Sequence, residues 1–131
     1  MTSGASAYCE HVAIRVRDID WHVGFFGDVF GMKPRRESAA VDGKPRQIWL
    51  VGGLQLIADA DLRAGAGRLA HVGLMVDDLD AALEAARRWS VGSLPKARHW
   101  LGLPDGLEIE LMEAGPGAVS AILAINPRAE P

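Results

Sequence analysis

"EHVAIRVRDID", Glu10 to Asp20, and "AHVGLMVDDLD", Ala70 to Asp80, are one pattern written twice. At a constant offset His11 aligns with His71, Val12 with Val72, Val16 with Val76, Asp18 with Asp78 and Asp20 with Asp80. Ile14 against Leu74 and Ile19 against Leu79 extend the match in kind. Self-similarity of this sort marks a duplicated supersecondary unit, and two copies are too few for a solenoid, which needs about three.

Within each copy the period changes. From Tyr8 to Arg17, Val12, Ile14 and Val16 fall on one side and His11, Ala13, Arg15 and Arg17 on the other, the alternation of a half-buried strand. Asp18 and Asp20 then supply N-cap chemistry, and Ile19, Val23, Phe26 and Phe30 trace one helical stripe expected to end at Gly31. The second copy predicts a strand from Arg68 to Val76 and a helix from Asp77 or Asp78 to about Trp89, with Leu79, Ala82, Leu83 and Ala86 as its stripe.

Outward from these openings, Met32 to Ser38 reads as a strand, "VDGKP" as a turn, and "RQIWLV" and "LQLIA" as two strands joined through Gly52 and Gly53. "DADLRAGAG", Asp59 to Gly67, is a polar, small-residue linker. "SVGSLPKARHWLGLPDGLEIELME" has room for two short strands and a final one, Leu107 to Glu113, entered through a Pro104-Asp105-Gly106 turn. The apolar tail, Ala118 to Ile125, has no clear period and fits an added strand, a short helix or a dimer contact. The expected fold is α+β: two tandem βαβββ modules, about 8–59 and 68–113, with linker 60–67 and C-terminal tail 114–131, forming one domain whose curved mixed sheets share a cleft.

With 131 residues, 49% hydrophobic and 24% charged, and a formal charge of −3, the chain has the make-up of an ordinary globular domain and nothing that attracts nucleic acid. No segment approaches the ~20 apolar residues that span a bilayer, and "MTSGASAY" lacks the features of a secretory signal, so a cytoplasmic location is expected. The single cysteine, Cys9, allows no internal disulfide and is expected to be a buried small side chain. There is no phosphate-loop spacing around the glycine turns and no G-x-S-x-G nucleophile elbow.

Strand parity sorts the side chains into two faces. Val12, Ile14, Val16, Leu54, Leu56, Val72, Leu74, Val76, Leu107, Ile109 and Leu111 face the helices. His11, Arg15, Gln55, His71, Met75, Glu108, Glu110 and Met112 lie opposite. A lone strand histidine is more often a hydrogen-bonded structural residue than a ligand. Two in the same register, with a carboxylate on the last strand, suit a divalent metal, because two imidazoles and one carboxylate hold one face of an octahedron and leave other positions for substrate. Parity leaves Glu108 and Glu110 both open as that carboxylate.

The stretches "HVAIRVRDID" and "HVGLMVDDLDAALEAA", followed by "LPDGLEIELME", resemble the vicinal oxygen chelate superfamily, which includes glyoxalase I, extradiol dioxygenases, methylmalonyl-CoA epimerase and the bleomycin and fosfomycin resistance proteins. The resemblance covers residues 8 to 113. It implies paired βαβββ modules, metal ligands at His11 and His71, and, from "PDGLEIEL", the carboxylate ligand and catalytic base at Glu110. Gln55 stands where glyoxalase-like members carry a second glutamate; its amide oxygen coordinates weakly and accepts no proton at neutral pH.

The implied protein is a homodimeric, metal-dependent isomerase, lyase or ring-cleaving dioxygenase acting on a small substrate with vicinal oxygens. Its cofactor is a divalent ion, with Fe, Zn, Ni and Mn not distinguished. The alternative is a metal-free, ligand-sequestering protein of the bleomycin resistance type. Arg15, Trp49, Met75 and Trp100 are expected to line the substrate pocket, with Arg98 a further candidate for an anionic group. His22 and His99 are expected to be structural or exposed.

Overall fold

The first copy of the repeat folds into β1 (Ala7–Val16) and α1 (Ile19–Phe30), and the second into β5 (Leu69–Val76) and α2 (Leu79–Arg87). Between them lie β2 (Pro34–Ser38), β3 (Gln47–Leu50) and β4 (Leu54–Ala58); after them come β6 (Ser93–Leu94), β7 (Ala97–Gly102), β8 (Glu108–Glu113) and α3 (Ala118–Leu123). These are elements of a computed structural model that describes residues 4–30, 32–63, 67–103, 107–126 and 129. Gly31, part of the linker, the Pro104-Asp105-Gly106 turn and most of the chain end lie outside the described residues. The strands form a mixed eight-stranded sheet in the order β2-β3-β4-β1-β5-β8-β7-β6, the α+β class with two βαβββ modules. By contacts the chain divides into two compact units, His11–Val72 and Met1–Glu10 with Gly73–Pro131; β1 and β5 run through both. None of the described helices is long and apolar enough to cross a membrane.

In the unit His11–Val72, β1 pairs in parallel with β4, setting Val12 beside Leu54, Ile14 beside Leu56 and Val16 beside Ala58. These share the face predicted from parity. Val16, Ile19, Ile48, Leu50 and Leu56 form the buried cluster there, with Ile14, Val23, Phe26 and Met32 packed against it. Burying each of the large members contributes about 1.5–3 kcal/mol.

The Asp18 carboxylate caps α1 by accepting from the Trp21 N–H at 3.0 Å. The expected stripe of α1 needs one correction. Phe30 is 60% exposed, and Met32, whose N–H returns to the Phe26 carbonyl at 3.0 Å, fills the core in its place. Trp21, Phe25 and Val29 give α1 a second, outward apolar stripe.

The β3–β4 turn uses Gly52 and Gly53 at φ of 112° and 100°, backbone that residues with a Cβ rarely adopt. The expected polar linker contains a buried anchor, Leu62. Arg46 donates to Glu37 at 2.8 Å and to Asp20 at 2.9 Å, and the bonds to these two carboxylates raise its pKa.

In the other unit, Asp78 caps α2 through the Ala81 N–H at 3.0 Å, repeating the role of Asp18. Leu83 is the buried member of the expected stripe, and Val76, Leu101, Ile109, Leu111 and Val119 are buried in the same unit. The helix ends at Arg87, short of Trp89: Ser90 takes φ of 60° and Trp89 is 83% exposed. The N-terminal segment lies along α2, since Ser6 and Asp77 exchange two hydrogen bonds and Gly4 approaches Ala81 and Ala85 where a Cβ would clash. Of the three forms that fitted the tail, it takes the short helix α3, anchored by Val119 with Ile122 and Leu123 exposed.

Candidate metal centre

β1 delivers His11 and β5 delivers His71 to the side away from Ile14 and Val16, because each histidine has the opposite strand parity. The two strands are joined in this unit by the Arg15 N–H donating to the Arg68 carbonyl at 2.8 Å. That face is more enclosed than a half-buried strand requires: His11 is 6% exposed, His71 8%, Gln55 4% and Ala13 fully buried.

The rings of His11 and His71 meet edge to face at 89°, with Nε2 to Nε2 at 3.0 Å. Two imidazole lone pairs at that distance repel, so something positive must lie between them: an N–H of one ring, or a cation that both hold. With Glu110 they make a group whose three ligand atoms all lie within 4.8 Å of one another.

Glu110 sits half-buried on β8, with Trp100 of β7 as its cross-strand partner. Glu108, the other carboxylate left open by parity, ion-pairs with Lys96 at 2.6 Å and is not in the group. Lys96 also lies over the Trp100 ring at 3.9 Å.

Gln55, on β4, shares the face of its β1 partner Ala13 and therefore of His11. Its Nε2 donates to the Gln47 side-chain oxygen at 2.6 Å. Gln47 was not among the sequence candidates, although it lies two residues before Trp49 on the same strand face, a signal that parity carries.

The expected pocket residues are placed variously. The Arg15 guanidinium is engaged, donating to the carbonyls of Gly67 at 3.0 Å and Leu69 at 3.2 Å and lying 4.0 Å from Asp59. Trp49 stands opposite Gln55 and carries the Arg36 guanidinium 4.0 Å over its ring. Met75 and Trp100 are half-buried. Arg98 pairs with Asp80 on α2.

Cys9 is exposed rather than a buried filler, because its end of β1 is less covered than the His11 end. His22 has its Nδ1 at 2.6 Å from the Asp18 carbonyl oxygen and His99 lies beside Trp100; neither joins the ligand group. A groove of about 360 Å³ on the outer face of α1, lined by Trp21, Gly24, Phe25 and Val29 between Asp20 and Asp28, is separate from the histidines.

The family model described as Glyoxalase/Bleomycin resistance protein/Dioxygenase superfamily matches residues 9–88. The chain belongs to this superfamily. Its fold is similar to that of methylmalonyl-CoA epimerase from Mycobacterium tuberculosis, with a TM-score of 0.64 and 24% identity over 92% of this chain and 95% of that one. A Streptomyces coelicolor methylmalonyl-CoA epimerase variant in complex with 2-nitronate-propionyl-CoA gives 0.63 at 19% identity, over 84% of this chain and 99% of that one. A 2,3-dioxygenase from Pseudomonas gives 0.61 at 16% identity, over 82% of this chain and 42% of that one. None of the curated proteins matches the sequence at a significant level.

Proposed function

We propose that this superfamily member is a metal-dependent enzyme in which His11, His71 and Glu110 hold one divalent cation and the substrate is a small molecule with vicinal oxygens. The observation that carries this is the convergence of the donor atoms. Bonds of about 2.1 Å from a cation to two imidazoles at a right angle put the nitrogens about 3.0 Å apart, whereas a tetrahedral angle needs about 3.4 Å. The Nε2 separation of 3.0 Å lies near this range, so both imidazoles could hold one cation. With Glu110 they would hold the ion through three protein groups and leave positions for substrate oxygens.

When bound, the cation supplies Lewis acidity that stabilises enolate-like charge on the substrate. Glu110 is then the group that takes a proton from the carbon next to a carbonyl and returns it. Gln55 cannot do so, because a carboxamide accepts no proton at neutral pH. Glu108 is engaged by Lys96 at 2.6 Å. We place a proton shift ahead of ring cleavage because the chain is similar over 95% of an epimerase but 42% of a dioxygenase. A CoA thioester is accordingly the first substrate to try. Pairing of two chains belongs to the same proposal and is read by sedimentation.

The test is metal analysis of the purified protein followed by deuterium wash-in at the carbon next to the thioester of methylmalonyl-CoA. About one metal per chain and metal-dependent exchange are expected. A chain that stays metal-free after exposure to iron, zinc, nickel and manganese would overturn the proposal in favour of ligand sequestration. Oxygen uptake on a catechol, with no exchange, would replace the isomerase by a dioxygenase.

A further inference from the structure

We propose that Arg36 is a specificity-determining residue: stacked on Trp49, its guanidinium receives an oxyanion that the substrate carries apart from its metal-binding oxygens. The inference rests on the metal reading above and narrows the substrate class to a small molecule with vicinal oxygens at one end and a carboxylate or phosphate at the other. Strand register puts Arg36 on the histidine face. In the unit His11–Val72, Arg36 stands opposite Trp49, Trp49 opposite Gln55, and Gln55 beside Ala13, which has the strand parity of His11. A bulge makes this so. Pro34 pairs with Leu50, and unbroken alternation would then set Arg35 against Trp49 and Arg36 against Ile48, on the side of the core. The register shift between Pro34 and Arg36 brings Arg36 to Trp49 instead, the re-aiming of a side chain for which bulges are used beside sites. The neighbouring carboxylate goes the other way: Glu37 pairs with Ile48 and is held by Arg46 at 2.8 Å.

The second module repeats the arrangement with its charge cancelled. Trp100 is the cross-strand partner of Glu110 as Trp49 is of Gln55, and each tryptophan has a cation over its ring, Lys96 at 3.9 Å and Arg36 at 4.0 Å. Lys96 is neutralised by Glu108 at 2.6 Å. Among the described residues no hydrogen bond or ion pair engages Arg36, so its charge is left for a ligand. A guanidinium stacked by its face keeps its N–H edges for an oxyanion, in a plane that the ring has already fixed. Because β3 lies two strands from β1, the group over Trp49 is about 10 Å across the sheet from the strand that carries His11. A short molecule chelated at the metal spans that distance.

The experiment uses the full chain loaded with Mn²⁺ and measures dissociation constants by titration calorimetry for two matched pairs of ligands. 2-Oxoadipate differs from 2-oxohexanoate by a terminal carboxylate, and methylmalonyl-CoA differs from the corresponding N-acetylcysteamine thioester by the phosphate-bearing part. The unaltered chain should prefer the anionic member of at least one pair by about tenfold, the lower end for a charge-assisted contact because Arg36 is exposed. Which pair shows the preference tells carboxylate from phosphate. Arg36→Met keeps an apolar stem over Trp49 without the charge and should cut the preference to less than about threefold. Its Mn²⁺ affinity, read without ligand, should match that of the unaltered chain. Arg36→Lys keeps the charge but not the fork and should retain part of the preference. No preference in the unaltered chain, or one that Arg36→Met leaves intact, would overturn this inference while Mn²⁺ uptake still upholds the metal reading. An unaltered chain that takes up no divalent metal would remove both.

Discussion

His71→Ala removes one of the two buried imidazoles whose Nε2 atoms lie 3.0 Å apart, and the metal reading fixes what should follow. A metal held at a hundred times its dissociation constant stabilises the folded chain by about 2.7 kcal/mol. Unfolding entropy of about 2.1 cal/mol/K per residue, over 131 residues, turns that into a Tm rise of about 10 °C. With one of three protein ligands gone, a thousandfold weaker site at the same metal concentration leaves a rise of less than about 1 °C.

The substitution also removes the His71 ring from the His11 Nε2, on a residue that is 6% exposed. That costs about 1–3 kcal/mol whether or not metal is present. The assay is therefore the difference between melts with Mn²⁺ and with chelator, measured for each chain, so that the baseline loss cancels. Cobalt(II) adds an independent check, because its visible absorption would appear on binding to the parent chain and be lost in His71→Ala. An unaltered metal-dependent rise in His71→Ala, or none in the parent chain with Mn, Fe, Ni or Zn, would show that the pair is a structural hydrogen bond.

Other consequences follow from single contacts. Glu110→Gln should leave the melt in chelator within about 1 kcal/mol of the parent and abolish wash-in of deuterium into methylmalonyl-CoA, because an amide takes no proton. Leu56→Ala, at a fully buried position of the core beside α1, should cost about 3–4 kcal/mol by urea titration, with the slope unchanged if only packing is lost. Asp18→Ala and Asp78→Ala remove equivalent caps, to the Trp21 and Ala81 N–H groups, and should each cost about 1 kcal/mol; a loss confined to one of them would contradict their equivalence. Gly52→Ala forces a Cβ onto φ of 112° and to 2.9 Å from the Met32 Cε, and should lower stability by about 1–2 kcal/mol.

What was legible from residues alone was local. The repeat, the aspartate caps and the strand parity each depend on neighbours within one turn or one strand, so a reader of His11 to Asp20 and His71 to Asp80 recovers both modules and assigns the histidines to the side away from the helices. Boundaries were less legible where two local tendencies compete. Trp89 continues a helical pattern but is 83% exposed, and α2 stops at Arg87 before the positive φ of Ser90. Phe30 continues the stripe of α1, but Met32 reaches the core instead. The tail's apolar letters had no period because Val119 alone anchors a short helix.

The metal centre divides along the same line. Parity determined that His11, His71, Gln55 and one of Glu108 or Glu110 share a face, since alternation is a property of each strand by itself. Only the pairing of strands set the two imidazoles at 3.0 Å. Only the turn from β6 into β7 brought Lys96 onto Glu108, while Glu110 stands with the histidines. The bond between Gln47 and Gln55 came into view the same way, because it is a diagonal contact between neighbouring strands. The sequence by itself determined which side chains are available to the centre, and the tertiary structure decided which of them meet, because distance across a sheet depends on register between segments remote in the chain.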